Sequence, residues 1–595
     1  MAYKIICDYI TFYGFFKNLR IFKKANEIIL YKSDKSLIDI IWIASFRLLN
    51  FIFLRKQFSI NTLKYTMYYP INPEVVEIIE KNTEGIDEGL ASKMYMFLKG
   101  SEKDIVKNIK RNLINTMQKK LYIKKQIEKN NKRSKCLIVT NINHFDIYSG
   151  LCEVYEDNYL FKNRLLTCII KLIVTIFIFF KILLQFKVSF KIKEKFYTDL
   201  LVQTQHHGYG NDIKKESLSE DYVFDKQRVA LLITNLWRPA SSIEIKEYKR
   251  KLNEKGIRCI DVREFYVDIQ AFLMVCKGLL KYAISVDIVF RSWSSFYTYF
   301  LALYQYLLES IYLQNYHCKS ILCFDSFLSL HIVRTLLYRQ RGIKSLGVQH
   351  SMGAGLHTGP SQSCLLFDKY LIWGDYYRRI FYPFWEEIDT VMFSYDRIDR
   401  FLLNKEKGSI AGKSDCGLLP NSKKHILIAI PQVQALKDQS FLGNAEGMLM
   451  FLQKLDDNIF DLANVYIGPK TSDGITQLKK YINNHRIKFL DESKCTTTEL
   501  ISLSDLVIAP AGSGVMCECS LLRKKVIGYD YFGKFLSKFW IRYGKDACID
   551  NCGNLRNVLL KFLSNGTIEV NWEKLWDEVV YPNNGNTNLI IEKLI

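Results

Sequence analysis

DLVIAPAGSGVMCECSLLRKKVIGYD, residues 505–530, alternates an apolar run, a glycine-rich turn, a helical stretch and a second apolar run. The runs at 506–509 and 526–528 are short and rich in Val and Ile, as strands buried on both faces are. Between them stands Ala511-Gly512-Ser513-Gly514, whose glycines let the backbone pass close to a ligand. The helix that follows opens with unpaired backbone N–H groups, which form a seat for phosphate. Glu518 lies about one turn further in, where a carboxylate can accept from both hydroxyls of a ribose.

The same alternation extends upstream. Short apolar runs at 425–430, 464–467 and 487–490 precede the quoted stretch, and helical stretches separate them. Before a polar segment at 404–424 come further runs at 136–142, 229–235, 258–262, 287–290, 320–324, 345–349 and 370–373. This texture predicts an α/β protein with two Rossmann-like doubly wound domains in series. Residues 1–132 read as a mainly helical N-terminal region. The first doubly wound domain is expected over 133–403, with an insertion at about 158–225, and the second over 404–535. A C-terminal helical segment, 536–595, is expected to pack back on the domains.

Composition narrows the class. The chain has 595 residues, of which 49% are hydrophobic and 14% aromatic, enough for several large cores and too apolar for disorder. Its formal net charge is +22. Most of this excess lies in residues 1–200, which suits an anionic membrane surface. No zinc-finger spacing, RNP-like aromatic motif or basic zipper accompanies the charge, so no nucleic-acid partner is expected. The 15 cysteines are scattered, and MAYKIICDYITFYGFFKNLR has no apolar signal core, so thiols in a reducing cytosol are expected. Cys517, Cys519, Cys548 and Cys552 do not match common zinc spacings and read as buried thiols. No metal and no cofactor are expected.

Residues 165–186, LLTCIIKLIVTIFIFFKILLQF, are long enough to span a bilayer, but Lys171 and Lys181 interrupt them and both flanks are basic. An interfacial helix fits this pattern, with Ile176, Phe177 and Phe180 in the lipid and the lysines reaching phosphates. A buried inter-domain helix and a spanning helix are the alternatives.

The strand exits carry the remaining chemistry. The stretch at 505–530 resembles the nucleotide-sugar signature of GT-B glycosyltransferases. Ser513, Gly514 and Glu518 match its S/G-G/S-x-x-x-E pattern, and Arg523-Lys524-Lys525-Val526-Ile527 stands where the family has a strand. Lys525 occupies the family's proline position. Tyr466-Ile467-Gly468-Pro469-Lys470 resembles a strand exit of surface-polysaccharide transferases, with Gly468 in place of the usual His. Residues 345–375 resemble bacterial capsule and surface-carbohydrate synthesis proteins, in which Gln-His at a strand exit precedes a D-x-y-l-v-w-G strand. Here these are Gln349-His350, followed by Ser351, and Asp368-Lys369-Tyr370-Leu371-Ile372-Trp373-Gly374.

The resemblance implies a GT-B-like pair of domains and a metal-independent transferase using a nucleotide-sugar donor. Its implied donor residues are Lys470 and Pro469 near the diphosphate, Asp491 and Glu492 near the base, and Gly512, Ser513, Gly514 and Glu518. His350 is the candidate base of the first domain, since imidazole titrates near neutral pH. Asp325 either shares that role or caps a helix, and His144 with Asp146 forms a second candidate pair. His206-His207-Gly208-Tyr209-Gly210 reads as a loop.

The expected activity is sugar transfer to a growing cell-surface glycan such as capsule or lipopolysaccharide. The acceptor is a glycan or lipid-linked, and the place is the cytoplasmic, inner face of the plasma membrane. A CDP-glycerol-type polyol-phosphate transferase and a non-catalytic, membrane-bound polysaccharide assembly protein are the alternatives.

Overall fold

The computed structural model describes six strands and scattered helical positions up to residue 188, and then most of 194–278, 293–349, 364–375, 388–393, 416–469 and 482–594. Gaps remain at 204–226, 235–241, 279–292, 324–329, 350–363, 376–387, 431–448, 470–478, 491–494, 531–539 and 580–586, and at shorter breaks. The chain divides into two units, Met1–Phe190 with Val267–Leu308, and Lys191–Tyr266 with Glu309–Ile595.

The first unit contains a five-stranded sheet of β1 (Tyr3–Cys7), β2 (Glu27–Ser33), β3 (Phe58–Leu63), β4 (Lys135–Thr140) and β5 (Glu153–Glu156). The spatial order is β3-β2-β1-β4-β5, with every pairing parallel. Three strands of a parallel sheet thus lie inside 1–132, the region expected to be mainly helical, most of which lies outside the described residues. Runs as short as YKIIC and FSINTL cannot be separated from helix by local pattern, and pairing with neighbours decides them. The strand expected to open the first doubly wound domain is β4, and it pairs with β1.

The second unit contains two further parallel sheets. In the first are β6 (Phe196–Gln203), β7 (Val229–Ile233), β8 (Cys259–Asp261), β9 (Tyr316–Cys323), β10 (Lys344–Val348), β11 (Lys369–Ile372) and β12 (Asp389–Met392). Their order is β12-β11-β10-β9-β6-β7-β8. Strand β6, FYTDLLVQ, falls within the expected insertion at 158–225 yet is central to the sheet. Its first half, Phe196-Tyr197-Thr198-Asp199, breaks the apolar run and hides it from a search for such runs. The expected strand at 287–290 lies outside the described residues.

The other sheet consists of β13 (Lys424–Ile430), β14 (Ala463–Pro469), β15 (Ile487–Phe489), β16 (Leu506–Pro510), β17 (Val526–Tyr529) and β18 (Cys548–Ile549). The order is β15-β14-β13-β16-β17-β18, so counting from its first strand it runs 3-2-1-4-5-6, the dinucleotide-binding arrangement. Strand β18 extends this sheet beyond residue 535.

Helices cover the sheets. In the seven-stranded domain, Leu200, Val202, Leu231, Leu322 and Leu346 pack with Tyr248 and Leu252 of α1 (Ser242–Glu254). In the six-stranded domain, Ile426, Ile428, Val465 and Ile508 share a core with Leu555, Leu559 and Phe562.

A buried polar network joins α2 (Trp293–Asn315) to α3 (Leu330–Arg339). Arg334 on α3 is 1% exposed and Glu309 on α2 is fully buried. Arg334 Nε and Nη2 donate to Glu309 Oε1 at 3.0 and 2.7 Å. Its Nη1 donates to Gln203 Oε1 at 3.3 Å and to Cys323 Sγ at 3.4 Å. Tyr338 donates to Glu309 Oε2 at 2.8 Å and its hydroxyl also meets that of Tyr316. Burial and the Glu309 carboxylate push both phenols well above their usual range, so both stay protonated.

Beyond β18 come α4 (Cys552–Asn565), α5 (Trp572–Val579) and α6 (Thr587–Leu594). Leu594 lies in the core of the seven-stranded domain, with Ile590 packed against it. Helix α5 ends against Gly374, the residue after Trp373, where any side chain would collide with the Val579 carbonyl oxygen.

Glu309→Ala should cost about 3–5 kcal/mol in chemical unfolding, since it leaves Arg334 charged and buried without its partner. Replacing the pair together, Glu309→Leu with Arg334→Met, should recover most of that loss. If the single variant unfolds like the wild type, the pair does not hold the domain.

Candidate functional site

The registers of the six-stranded sheet bring four strand exits level. Ile430 stands opposite Pro469, Ile428 opposite Ile508 and Pro510 opposite Tyr529. Parallel strands therefore end in a row formed by Pro469, Ile430, Pro510 and Tyr529. The strand order reverses between β13 and β16, and in open parallel sheets the ligand crevice lies outside that point.

The chain leaves β16 through a turn closed by the Ser513 N–H donating to the Pro510 carbonyl at 2.9 Å. Ser513 is extended, at φ −74° and ψ 146°, and its hydroxyl caps the helix Gly514–Leu521 by accepting from the Val515 N–H at 3.3 Å. Among the described residues, a side-chain carbon placed on Gly514 would meet nothing within 4 Å. Asp530 follows β17 on the same edge, 3% exposed, with its N–H donating to Ile549 O at 2.7 Å.

Glu518 is half-buried on the same helix. Its Oε2 accepts from Thr498 Oγ1 at 3.3 Å. Thr498 is 2% exposed and belongs to the preceding helix, Thr497–Leu503. That helix begins with a capping box in which the Thr496 N–H donates to Glu499 Oε2 at 2.6 Å and the Glu499 N–H to Thr496 Oγ1 at 3.2 Å. Just before the cap, Cys495 is disulfide-bonded to Cys416, their Cα atoms 5.3 Å apart. The reading of all cysteines as free thiols is therefore corrected at this pair. The two are 79 residues apart, and sequence spacing alone does not disclose such proximity.

Of the candidates, Ser513, Gly514 and Glu518 come together on the first turns of one helix, and Pro469 ends β14, which β13 separates from β16. Gly512, Lys470, Asp491, Glu492, His350, Asp325, His144 and Asp146 lie outside the described residues. The residue before His350 is described: Gln349 is 3% exposed, donates its N–H to Leu371 O at 2.9 Å and accepts from the Trp373 N–H at 2.9 Å. The exits of β10 and β11 are thereby tied together.

Lys171, Ile176, Phe177, Phe180 and Lys181 also lie outside the described residues. Among the described residues no helix is long and apolar enough to cross a membrane. No group of three or more His, Cys, Asp or Glu among them is placed to hold a metal. Burial pushes the Cys519 and Cys548 thiols well above their ordinary range.

Sequence reading missed Thr498 and Asp530. The Thr496-x-x-Glu499 pattern is a capping-box signature and marks the helix start, while Asp530 closes the quoted stretch. Nothing in either pattern says which side chain turns toward Glu518.

No family model matches the chain, and no curated protein matches its sequence. Solved structures do. MurG of Acinetobacter baumannii is 14% identical, with 68% of this chain and 99% of that one covered and a TM-score of 0.35. The spinosyn rhamnosyltransferase SpnG complexed with thymidine diphosphate is 12% identical, covering 67% and 100%, with a TM-score of 0.39. The glycosyltransferase SnogD from Streptomyces nogalater is 11% identical, covering 67% and 100%, with a TM-score of 0.35.

Replacing Cys416 and Cys495 together by Ser should lower stability by about 2–4 kcal/mol, since the bond closes a long loop. A reducing agent should destabilise the wild type by the same amount and leave the double variant unchanged. Equal urea midpoints for oxidised and reduced wild type would show that the bond contributes nothing.

Proposed function

We propose that the chain transfers a sugar from a nucleotide-activated donor to a growing cell-surface glycan. The observation that carries this reading is the level row of strand exits beside a helix N-terminus, with Glu518 one turn inside it and hydrogen-bonded to Thr498. The donor diphosphate lies against the first turn of Gly514–Leu521, where the helix dipole favours negative charge; the Val515 and Met516 N–H groups of that turn already donate to Ser513. Glu518 accepts from the ribose hydroxyls, Lys470 neutralises the phosphates, and Asp491 and Glu492 lie near the base.

In the seven-stranded domain, His350 takes the proton of the acceptor hydroxyl as the bond to the anomeric carbon forms. Asp325, which follows β9, supplies the alternative base. Charge developing on the leaving nucleotide is met by groups already in place, which is how such sites lower a barrier.

The acceptor is a glycan or a lipid-linked glycan at the inner face of the plasma membrane. The apolar, lysine-interrupted segment at 165–186 and the basic first third of the chain support that location.

A panel of UDP-, GDP-, CDP- and TDP-sugars with CDP-glycerol, scored by thermal shift, tests the donor class, because a bound donor stabilises the fold. One nucleotide-sugar should raise the melting temperature, and Glu518→Ala should weaken its binding by about 1–3 kcal/mol. Stabilisation by CDP-glycerol alone would redirect the reading to polyol-phosphate transfer, and stabilisation by none would end it.

For the membrane, the protein should sediment with phosphatidylglycerol vesicles and be only partly released by high salt. Ile176→Ser, Phe177→Ser and Phe180→Ser together should release it with donor binding intact. Loss of donor binding in that variant would mean that the segment belongs to a core.

A further inference from the structure

We infer that Thr498 is a positioning residue for the donor nucleotide, acting through Glu518 to select a ribose that carries its hydroxyls. The inference rests on the donor reading above and adds to it a residue that never touches the ligand. A glutamate side chain has several rotatable bonds, and holding both hydroxyls of a diol requires one orientation of its carboxylate. On the helix Gly514–Leu521, Glu518 gets part of that orientation from a different helix, through the 3.3 Å hydrogen bond from Thr498 Oγ1 to its Oε2.

Thr498 suits the task because it is itself fixed. It is 2% exposed, and β-branching restricts its χ1 to few rotamers. Its helix is held at the N-terminus by the reciprocal Thr496–Glu499 capping bonds. The residue before the cap is held by the Cys416–Cys495 bond. The chain thus builds its ribose-reading carboxylate from two helices, one that carries it and one that aims it.

The test compares the full-length wild type with Thr498→Val, Thr498→Ser and Glu518→Gln, each checked for an unchanged melting temperature. Calorimetry measures binding of UDP, GDP and CDP and of their 2′,3′-dideoxy counterparts. For the nucleotide that binds, Thr498→Val should lose about three- to tenfold in affinity, and Thr498→Ser, which restores the donor, should regain most of it. The dideoxy counterpart should bind wild type and Thr498→Val equally. In a Glu518→Gln background, Thr498→Val should add little, as residues acting on one group are not additive.

Thr498→Val weakening the ribo and dideoxy nucleotides alike would overturn the inference, as would full additivity with Glu518→Gln. If the wild type binds none of the nucleotides, or Glu518→Gln binds like the wild type, the donor reading itself fails, and that result is distinct from the first two.

Discussion

Arg334 brings a permanent positive charge to a place that water does not reach, and the seven-stranded domain is arranged around it. A guanidinium does not lose its proton at any ordinary pH, so burial has to be compensated by partners. Those partners come from three elements: Glu309 from α2, Gln203 from the end of β6 and Cys323 from the end of β9, while Tyr338 of α3 donates to the second oxygen of Glu309. Strands β6 and β9 are the pair between which the strand order of this sheet reverses. One side chain therefore sets the spacing of two helices and two strand exits at the point where a doubly wound sheet opens its crevice. An apolar cluster of the same volume would fill the space equally well, but it would not dictate which atoms meet. The fixed geometry of the pair favours a single arrangement of these exits.

The six-stranded domain was largely legible in the sequence because its strands are buried on both faces and their apolar runs stand out between helices. The turn at Ser513, Gly514 and the place of Glu518 followed from the same stretch, since glycine and an N-cap serine have few other uses before an apolar helix. Strand β6 was not legible: its first half, Phe196-Tyr197-Thr198-Asp199, is only partly buried and breaks the apolar run to which its buried second half belongs. The N-terminal sheet was hidden for a different reason. Its strands are short, and parallel pairing joins β1 to β4 across more than a hundred residues, a relation absent from any local window. The disulfide and the Thr498–Glu518 contact are of this kind too, because both join segments whose nearness the fold alone creates.

Three sheets in one chain share a strand order in which the first strand lies beside the second on one side and the fourth on the other. Right-handed crossovers make this order the default outcome when strands and helices alternate. Its recurrence is thus weak evidence of shared function, and the chemistry has to be argued from particular exits. At the donor edge that chemistry is concentrated on one helix terminus, and the support comes from its neighbours. Arg523, at the end of that helix, meets Glu573 and Asp577 of α5, and Trp576 donates to the Lys524 carbonyl at 3.2 Å. The helix is therefore anchored at its far end as well as at its cap.

Leu594 has a consequence for how the protein is made. It fills the core of a sheet whose first strand begins at Phe196, so roughly 400 residues are synthesised between two parts of one core. At about 5–20 residues per second, that interval is on the order of tens of seconds. During it the apolar patch that Leu594 and Ile590 later cover, beside Leu231 and Ile233, stands open on the ribosome. Helix α6, which carries both residues, follows the whole six-stranded domain in the chain and so cannot close the patch before that domain has been made. The nascent chain thus carries an incompletely filled core while the six-stranded domain is being made.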